Sequence, residues 1–230
     1  MKYFIRYFCL PILFSLIASI AFSQQILFRN YSVNDGLGSN TIWAISQDSE
    51  GYMWFGTKDG LNRFDGYNFK SFRYNKGNAK SLGSNFIHKI LNFDKSHLWI
   101  ATDLGVYILD MEKETFNPIK ALANKAVFDL MKDSKGSIWI STRNHGLYQY
   151  KLSSEKLINY QNKNNDRTTI SSNQIRRTIE DDDGNIWIAA FGGGVDVLDP
   201  VSKKLQHFKA GSEPGELSSN LILSLYKGLD

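Results

Sequence analysis

Polar turns and short apolar runs alternate along this chain in a fixed layout that returns four times. Residues 48–57 (DSEGYMWFGT), 93–102 (FDKSHLWIAT), 133–142 (DSKGSIWIST) and 181–190 (DDDGNIWIAA) each place a turn-forming Asp, Ser or Gly group before an aromatic and β-branched run. Short polar side chains bond nearby backbone and Gly supplies positive φ, so the first half predicts a tight turn. The second half predicts a strand packed on both faces. The tryptophans of the copies, Trp54, Trp99, Trp139 and Trp187, are 45, 40 and 48 residues apart, a period that signals a propeller or a solenoid.

The flanking residues supply the rest of the unit. In the first copy, strands are expected at 41–46, 52–57, 61–64 and 68–74, linked by Gly-rich or polar hairpins such as Lys58-Asp59-Gly60. The same reading gives 86–92, 98–102, 106–110 and 115–119, then 126–132, 138–142, 146–150 and 156–160, then 174–180, 186–190, 195–198 and 204–208. Four short antiparallel strands per repeat make a propeller blade, so the expected fold is all-β, with blades at 41–74, 86–119, 126–160 and 174–208.

Asn40, Asn85, Asn173 and Asn220 each follow a Ser and lie just before a first strand, whereas the third blade has Asn124-Lys125 there. Local hydrogen bonding by Ser and Asn explains the recurrence without a ligand. Residues 26–31 resemble the closing strand of a blade whose other strands are missing, and 219–230 resemble the start of a fifth. The expected ring is therefore incomplete. A blade packs on two neighbours, so the outer faces of the first and fourth blades are expected to lack cover, to favour self-association, or to need further blades downstream.

Residues 1–23 change the picture of where the domain resides. Lys2 and Arg6 precede an apolar run interrupted by Pro11 and ending in Ala21-Phe22-Ser23, the pattern of a cleaved secretory signal peptide, and the expected location is the periplasm. The single cysteine, Cys9, lies in this segment, so residues 24–230 hold neither a disulfide nor a thiolate metal site. Without Lys2 and Arg6, 25 basic residues face 23 acidic ones, and they are scattered. This argues against nucleic acid as a partner. No later apolar run approaches the length of a membrane span.

The Trp-Ile-(Gly/Ser/Ala)-Thr run after an Asp-x-x-Gly turn, and the Gly60-Leu61-Asn62-Arg63-Phe64 that follows the first copy, resemble the two-component regulator propeller repeat. The stretch from Tyr31 to Leu37 resembles the start of the periplasmic sensor region of hybrid two-component histidine kinases. Departures are Phe93 and Ser96 in place of Asp and Gly, and Ala189-Ala190 in place of Gly-Thr. The resemblance implies a sensor of extracellular ligands, frequently oligosaccharides, whose kinase core lies elsewhere; no kinase machinery and no enzyme activity are expected of these residues. Alternatives are a free-standing secreted binding or scaffold module and, behind it, a propeller hydrolase or lyase.

Candidate chemistry is sparse. His88, His97, His145 and His207 occupy different blades, have no acidic neighbour in sequence and lack metal-ligand spacing. Residues 36–41 lack the third Gly of a dinucleotide fingerprint, and 181–185 lack the remaining ligands of a calcium loop. Arg176-Arg177 reads as part of an alternating strand, and no cofactor or metal is expected. Loops between second and third strands share a face with those entering first strands, and propellers bind at such mouths. They offer Lys58, Asp59, Asp103, Arg143, Asn144, His145 and Phe191 as candidate ligand residues, with aromatic rings to stack on sugars and polar groups to bond hydroxyls.

Overall fold

The computed structural model describes residues 27–228. Contacts divide the chain after Tyr31. Residues 27–31 carry no strand, so the closing strand expected there is not formed by them; Ile26 and the segment expected to be a signal peptide lie outside the described residues. A strand needs a partner edge to bond, and residues 27–31 pair with none in a ladder.

From Ser32 onward the body consists of four four-stranded antiparallel sheets, each ordered as its strands occur in sequence. The first holds β1 (Ile42–Gln47), β2 (Met53–Thr57), β3 (Gly60–Phe64) and β4 (Phe69–Phe72). The second holds β5 (Ile87–Asn92), β6 (His97–Thr102), β7 (Gly105–Asp110) and β8 (Thr115–Pro118). The third holds β9 (Val127–Lys132), β10 (Ile138–Thr142), β11 (Leu147–Lys151) and β12 (Lys156–Tyr160). The fourth holds β13 (Ile175–Glu180), β14 (Ile186–Ala190), β15 (Gly194–Leu198) and β16 (Leu205–Phe208). Strand ends depart from the sequence expectation by no more than about two residues, because side-chain alternation fixes register more tightly than it fixes ends. Consecutive inner strands β1, β5, β9 and β13 pack on one another, which makes an open arc of propeller blades.

The core lies between blades. Trp54, Leu61, Ile87, Ile90, Leu98 and Ile100 join the first two blades, Trp99, Val106, Val127, Leu130 and Ile138 the next two, and Trp139, Leu147, Ile175, Ile186 and Ile188 the last two. Trp54, Trp99 and Trp139 thus belong to the layers that face the following blade. Trp54, Trp99 and Trp139 are at most 1% exposed, whereas Trp187, stacked on Phe208 at 5.8 Å, is only partly buried. Burying such a side chain is worth about 1.5–3 kcal/mol, so the three interblade layers supply most of what holds the arc. On the opposite end, Ile45 of β1 stays 60% exposed. Ser219-Asn220 forms the same loop as the other Ser-Asn pairs, but residues 221–228 pair in no ladder.

The recurrent turn has a chemical reason. Asp48, Asp133 and Asp181 each accept the indole N–H of the tryptophan six residues on, at 2.7–2.8 Å, while the other carboxylate oxygen accepts backbone N–H groups of the turn. In the second blade Phe93 replaces the Asp and its ring lies against Trp99 at 5.7 Å. A hydrogen bond is exchanged for ring packing, and the turn survives.

Candidate functional site

Each inner strand carries one β-bulge, always at the same place. Ile42 pairs with Thr57 and Ala44 with Gly56, which leaves Trp43 without a partner. In the same way the ladder skips His88 between Ile87 and Lys89, Phe128 between Val127 and Asp129, and Arg176 between Ile175 and Arg177. A bulge bends the strand and re-aims its extra residue. Four blades therefore present four equivalent side chains: Trp43, His88, Phe128 and Arg176.

These side chains and their neighbours form a continuous row of rings. Trp43, 55% exposed, meets Phe86 edge-on at 5.6 Å, and Phe86 meets His88 at 4.5 Å. His88 meets Phe128 edge-on at 5.3 Å. The Arg143 and Arg176 guanidinium carbons lie 5.3 and 4.5 Å from the Phe128 ring centre, and Arg176 is also 4.7 Å from that of Phe191. Burial pushes the Arg176 guanidinium down from its ordinary value, and the charge of Arg143 adds to the effect. The Arg176 Nε and His145 Nδ1 atoms are buried without hydrogen-bond partners.

The loop residues expected at the mouth fall into two groups. Asp103, Arg143 and Phe191 join the row: Asp103 Oδ1 lies 2.7 Å from His88 Nε2, and the other two hold Phe128 and Arg176. Asp59 is engaged by Arg73 Nε at 3.0 Å and by the Asn85 amide at 3.1 Å, while Lys58 and Asn144 are exposed. His145 donates its backbone N–H to Thr142 Oγ1. Asn40, Asn85, Asn173 and Asn220 each accept a backbone N–H through the side-chain oxygen, from Val33, Tyr74, Asn162 and Ala210 respectively. The preceding serines accept the N–H two residues on, so these pairs are committed to shaping the loop.

Trp43, Phe86, His88, Phe128 and Arg176 are absent from the sequence-derived candidates. Arg176 in particular belongs to a bulge and not to a regular alternation, since the inserted residue breaks the two-residue period. A signal existed: all four bulged residues lie eleven positions before the tryptophan of their own blade. The histidines also gain carboxylate partners by folding, His88 with Asp103, His97 with Asp94 and His207 with Asp196.

Ser171, His207 and Asp196 meet in space without forming a nucleophilic triad. His207 Nδ1 lies 2.7 Å from Asp196 Oδ1 and 3.0 Å from Ser171 Oγ, whereas Nε2 is 2.7 Å from the Arg167 carbonyl oxygen. A serine base must face the hydroxyl through the nitrogen opposite its carboxylate, and here that nitrogen is spent on backbone. Space for a small molecule exists nearby, in a groove of about 320 Å³ lined by Asn162, Arg167, Ser171 and His207. Chemistry singles out the ring row instead. Among the described residues no cluster of His, Cys, Asp and Glu could hold a metal, and no helix is long and apolar enough to cross a membrane.

The family profile described as "Two component regulator propeller" matches residues 36–59, 121–144 and 169–192. These segments run from the Ser-Asn loop through the bulged inner strand and Asp turn into the tryptophan strand, or their counterparts in the third blade. Those three segments are similar to the two-component regulator propeller repeat. The second blade, with Phe93 and Ser96 in its turn, lies outside the matched segments of this propeller. Over 73 residues the propeller is 40% identical to Histidine kinase P4 of Formosa agariphila, covering 31% of this chain and 5% of that kinase. Among solved structures it resembles the extracellular domain of BT3049 from B. thetaiotaomicron, described as a hybrid two-component system. The TM-score is 0.69 and the identity 23%, over 82% of this chain and 27% of that one. It also resembles virginiamycin B lyase from Staphylococcus aureus, with a TM-score of 0.54 and 10% identity over 76% of this chain and 58% of that one. The two likenesses share the propeller fold. The chain spans only a small part of the kinase it matches.

Proposed function

We propose that this chain is the ligand-sensing propeller segment of a two-component sensor, exported to the periplasm, and that it binds oligosaccharide along the bulged inner strands. The observation that carries this reading is the continuous row from Trp43 through Phe86, His88 and Phe128 to Arg176 and Phe191. Rings in a row offer flat apolar faces to successive sugar units, and the flanking Asp103, Arg143 and Asn144 offer polar atoms to hydroxyls. The repeats and the similarity to a histidine kinase support the signalling context. Transmission of the signal belongs to parts of such a sensor beyond these blades.

Calorimetric titration of the chain with oligosaccharides of three to six sugars, neutral and acidic, tests the reading. Binding is expected, and Trp43→Ala and Phe128→Ala should each weaken it by about tenfold, the scale of one lost ring stack. Binding that is indifferent to both substitutions, or absent across the panel, would overturn it.

A further inference from the structure

Two guanidinium groups in the ring row lack counter-charges. Arg143 and Arg176 share the Phe128 ring, at 5.3 and 4.5 Å from its centre, and they come from different blades. Neither forms an ion pair with a described carboxylate, although Arg63, Lys70, Arg73, Lys89, Lys113 and Lys227 all do. The nearby acid on the row, Asp103, is already taken by His88 at 2.7 Å. The Arg176 Nε atom is buried with no acceptor, and so is His145 Nδ1 on the loop that carries Arg143. Two like charges placed together against aromatic faces, with buried donor capacity unspent, are unfavourable unless something anionic completes them. Arginine forks match the planar or tetrahedral oxygens of carboxylate and sulfate groups.

We infer that the fourth-blade end of the row is an oxyanion subsite, in which Arg143 and Arg176 grip a carboxylate or sulfate on a sugar whose neighbouring units lie along Phe128, Phe86 and Trp43. The inference rests on the oligosaccharide reading and narrows it to acidic oligosaccharides. Phe128 and Phe191 hold Arg176 between two rings, which fixes the plane of its fork before the ligand arrives. Such preorganisation favours a ligand whose anion sits at one end of a stacked chain. Trp43, with no cation on its ring among the described contacts, receives the other end.

The test is titration of the intact chain with three oligosaccharides of matched length: tri-galacturonate, a 6-O-sulfated galactotriose and neutral galactotriose. At least one acidic probe is expected to bind ten times or more tightly than the neutral one, with an affinity that falls as salt is raised. Carboxylate and sulfate arms separate the two sources of the anion. Arg143→Gln, at an exposed position, should remove about tenfold of the acidic affinity and clearly less of the neutral affinity, so that the preference for the acidic probe collapses; Arg176→Gln should do the same. Arg143→Lys keeps the charge and loses the fork, and should restore only part of the binding. Equal binding of neutral and acidic probes, unaffected by Arg143→Gln, would overturn the subsite and leave the oligosaccharide reading standing. Absence of binding by all three, with Trp43→Ala and Phe128→Ala also silent on a wider panel, would remove both.

Discussion

The Asp133 carboxylate accepts the indole N–H of Trp139 at 2.8 Å, joining the start of a turn to the centre of the strand that follows it. Asp133 is 6% exposed, and its second oxygen accepts the Ser137 N–H at 2.7 Å. Asp133→Ala leaves both donors buried and unmatched, which costs about 1–3 kcal/mol. The midpoint of urea unfolding should fall accordingly while the m-value stays constant. An unchanged midpoint would mean that the turn is held by its backbone alone.

Two carboxylates respond to pH in opposite directions. Burial raises Asp129 above the ordinary value, although Lys89, the Thr178 N–H and Arg177 favour its charge. The folded state then holds this proton more tightly than the unfolded chain. Its contribution to stability is full below about pH 3.9 and declines as pH rises through the raised folded value. Asp129→Asn should flatten that decline in the pH dependence of unfolding free energy. If the two profiles run parallel, the carboxylate does not carry the effect.

Burial also acts against the charged form of Asp181, but the hydrogen bonds from the Trp187 indole and from Asn185 and Asp183 outweigh it and hold the carboxyl below its ordinary value. Here the contribution is present above about pH 3.9 and disappears as pH falls through the lowered folded value. Nuclear magnetic resonance titration of the Asp181 carboxyl carbon should place its midpoint below that of an unfolded peptide, and Trp187→Phe should move it upward. A midpoint at or above the peptide value would contradict the hydrogen-bond account.

Gly146 and Gly136 both have positive φ, +75° and +83°, yet their surroundings differ. A Cβ on Gly146 would lie 2.1 Å from the Tyr160 carbonyl oxygen, whereas one on Gly136 would meet nothing within 4 Å. Gly136→Ala should cost about 1–2 kcal/mol from backbone conformation alone. Gly146→Ala should cost clearly more, because the Tyr160 carbonyl at the end of β12 must retreat. Thermal unfolding of the two variants side by side gives the comparison, and equal losses would show that β12 yields without resistance.

Asp196 has no exposed surface and accepts from the Ser171 N–H and Oγ, with His207 Nδ1 at 2.7 Å. Removing it by Asp196→Ala strands three polar groups, for about 3 kcal/mol. Hydrogen exchange should accelerate at Ser171 before it does in β9. Protection unchanged at Ser171 would assign this loop's order to other contacts.

Much of the fold was legible because its rules are local. The Asp-to-Trp bond spans six residues, the Gly146 hairpin lies within one blade, and both leave a repeated trace at fixed spacing. The ring row was less legible. His88 lies in β5 and Asp103 in the turn between β6 and β7, Phe128 and Arg176 come from different blades, and no local pattern announces such meetings. Moreover, Trp43, His88, Phe128 and Arg176 share no side-chain type, so the repeat hides them where it marks the tryptophans. Only alignment of the four copies on Trp54, Trp99, Trp139 and Trp187 brings them into one column.

The bulges give that column an evolutionary freedom. A residue skipped by the ladder has no cross-strand neighbour to match, so Trp, His, Phe and Arg occupy one slot without disturbing the register on either side. The chemistry shown on this face can change blade by blade, one codon at a time, while the scaffold that displays it stays unchanged.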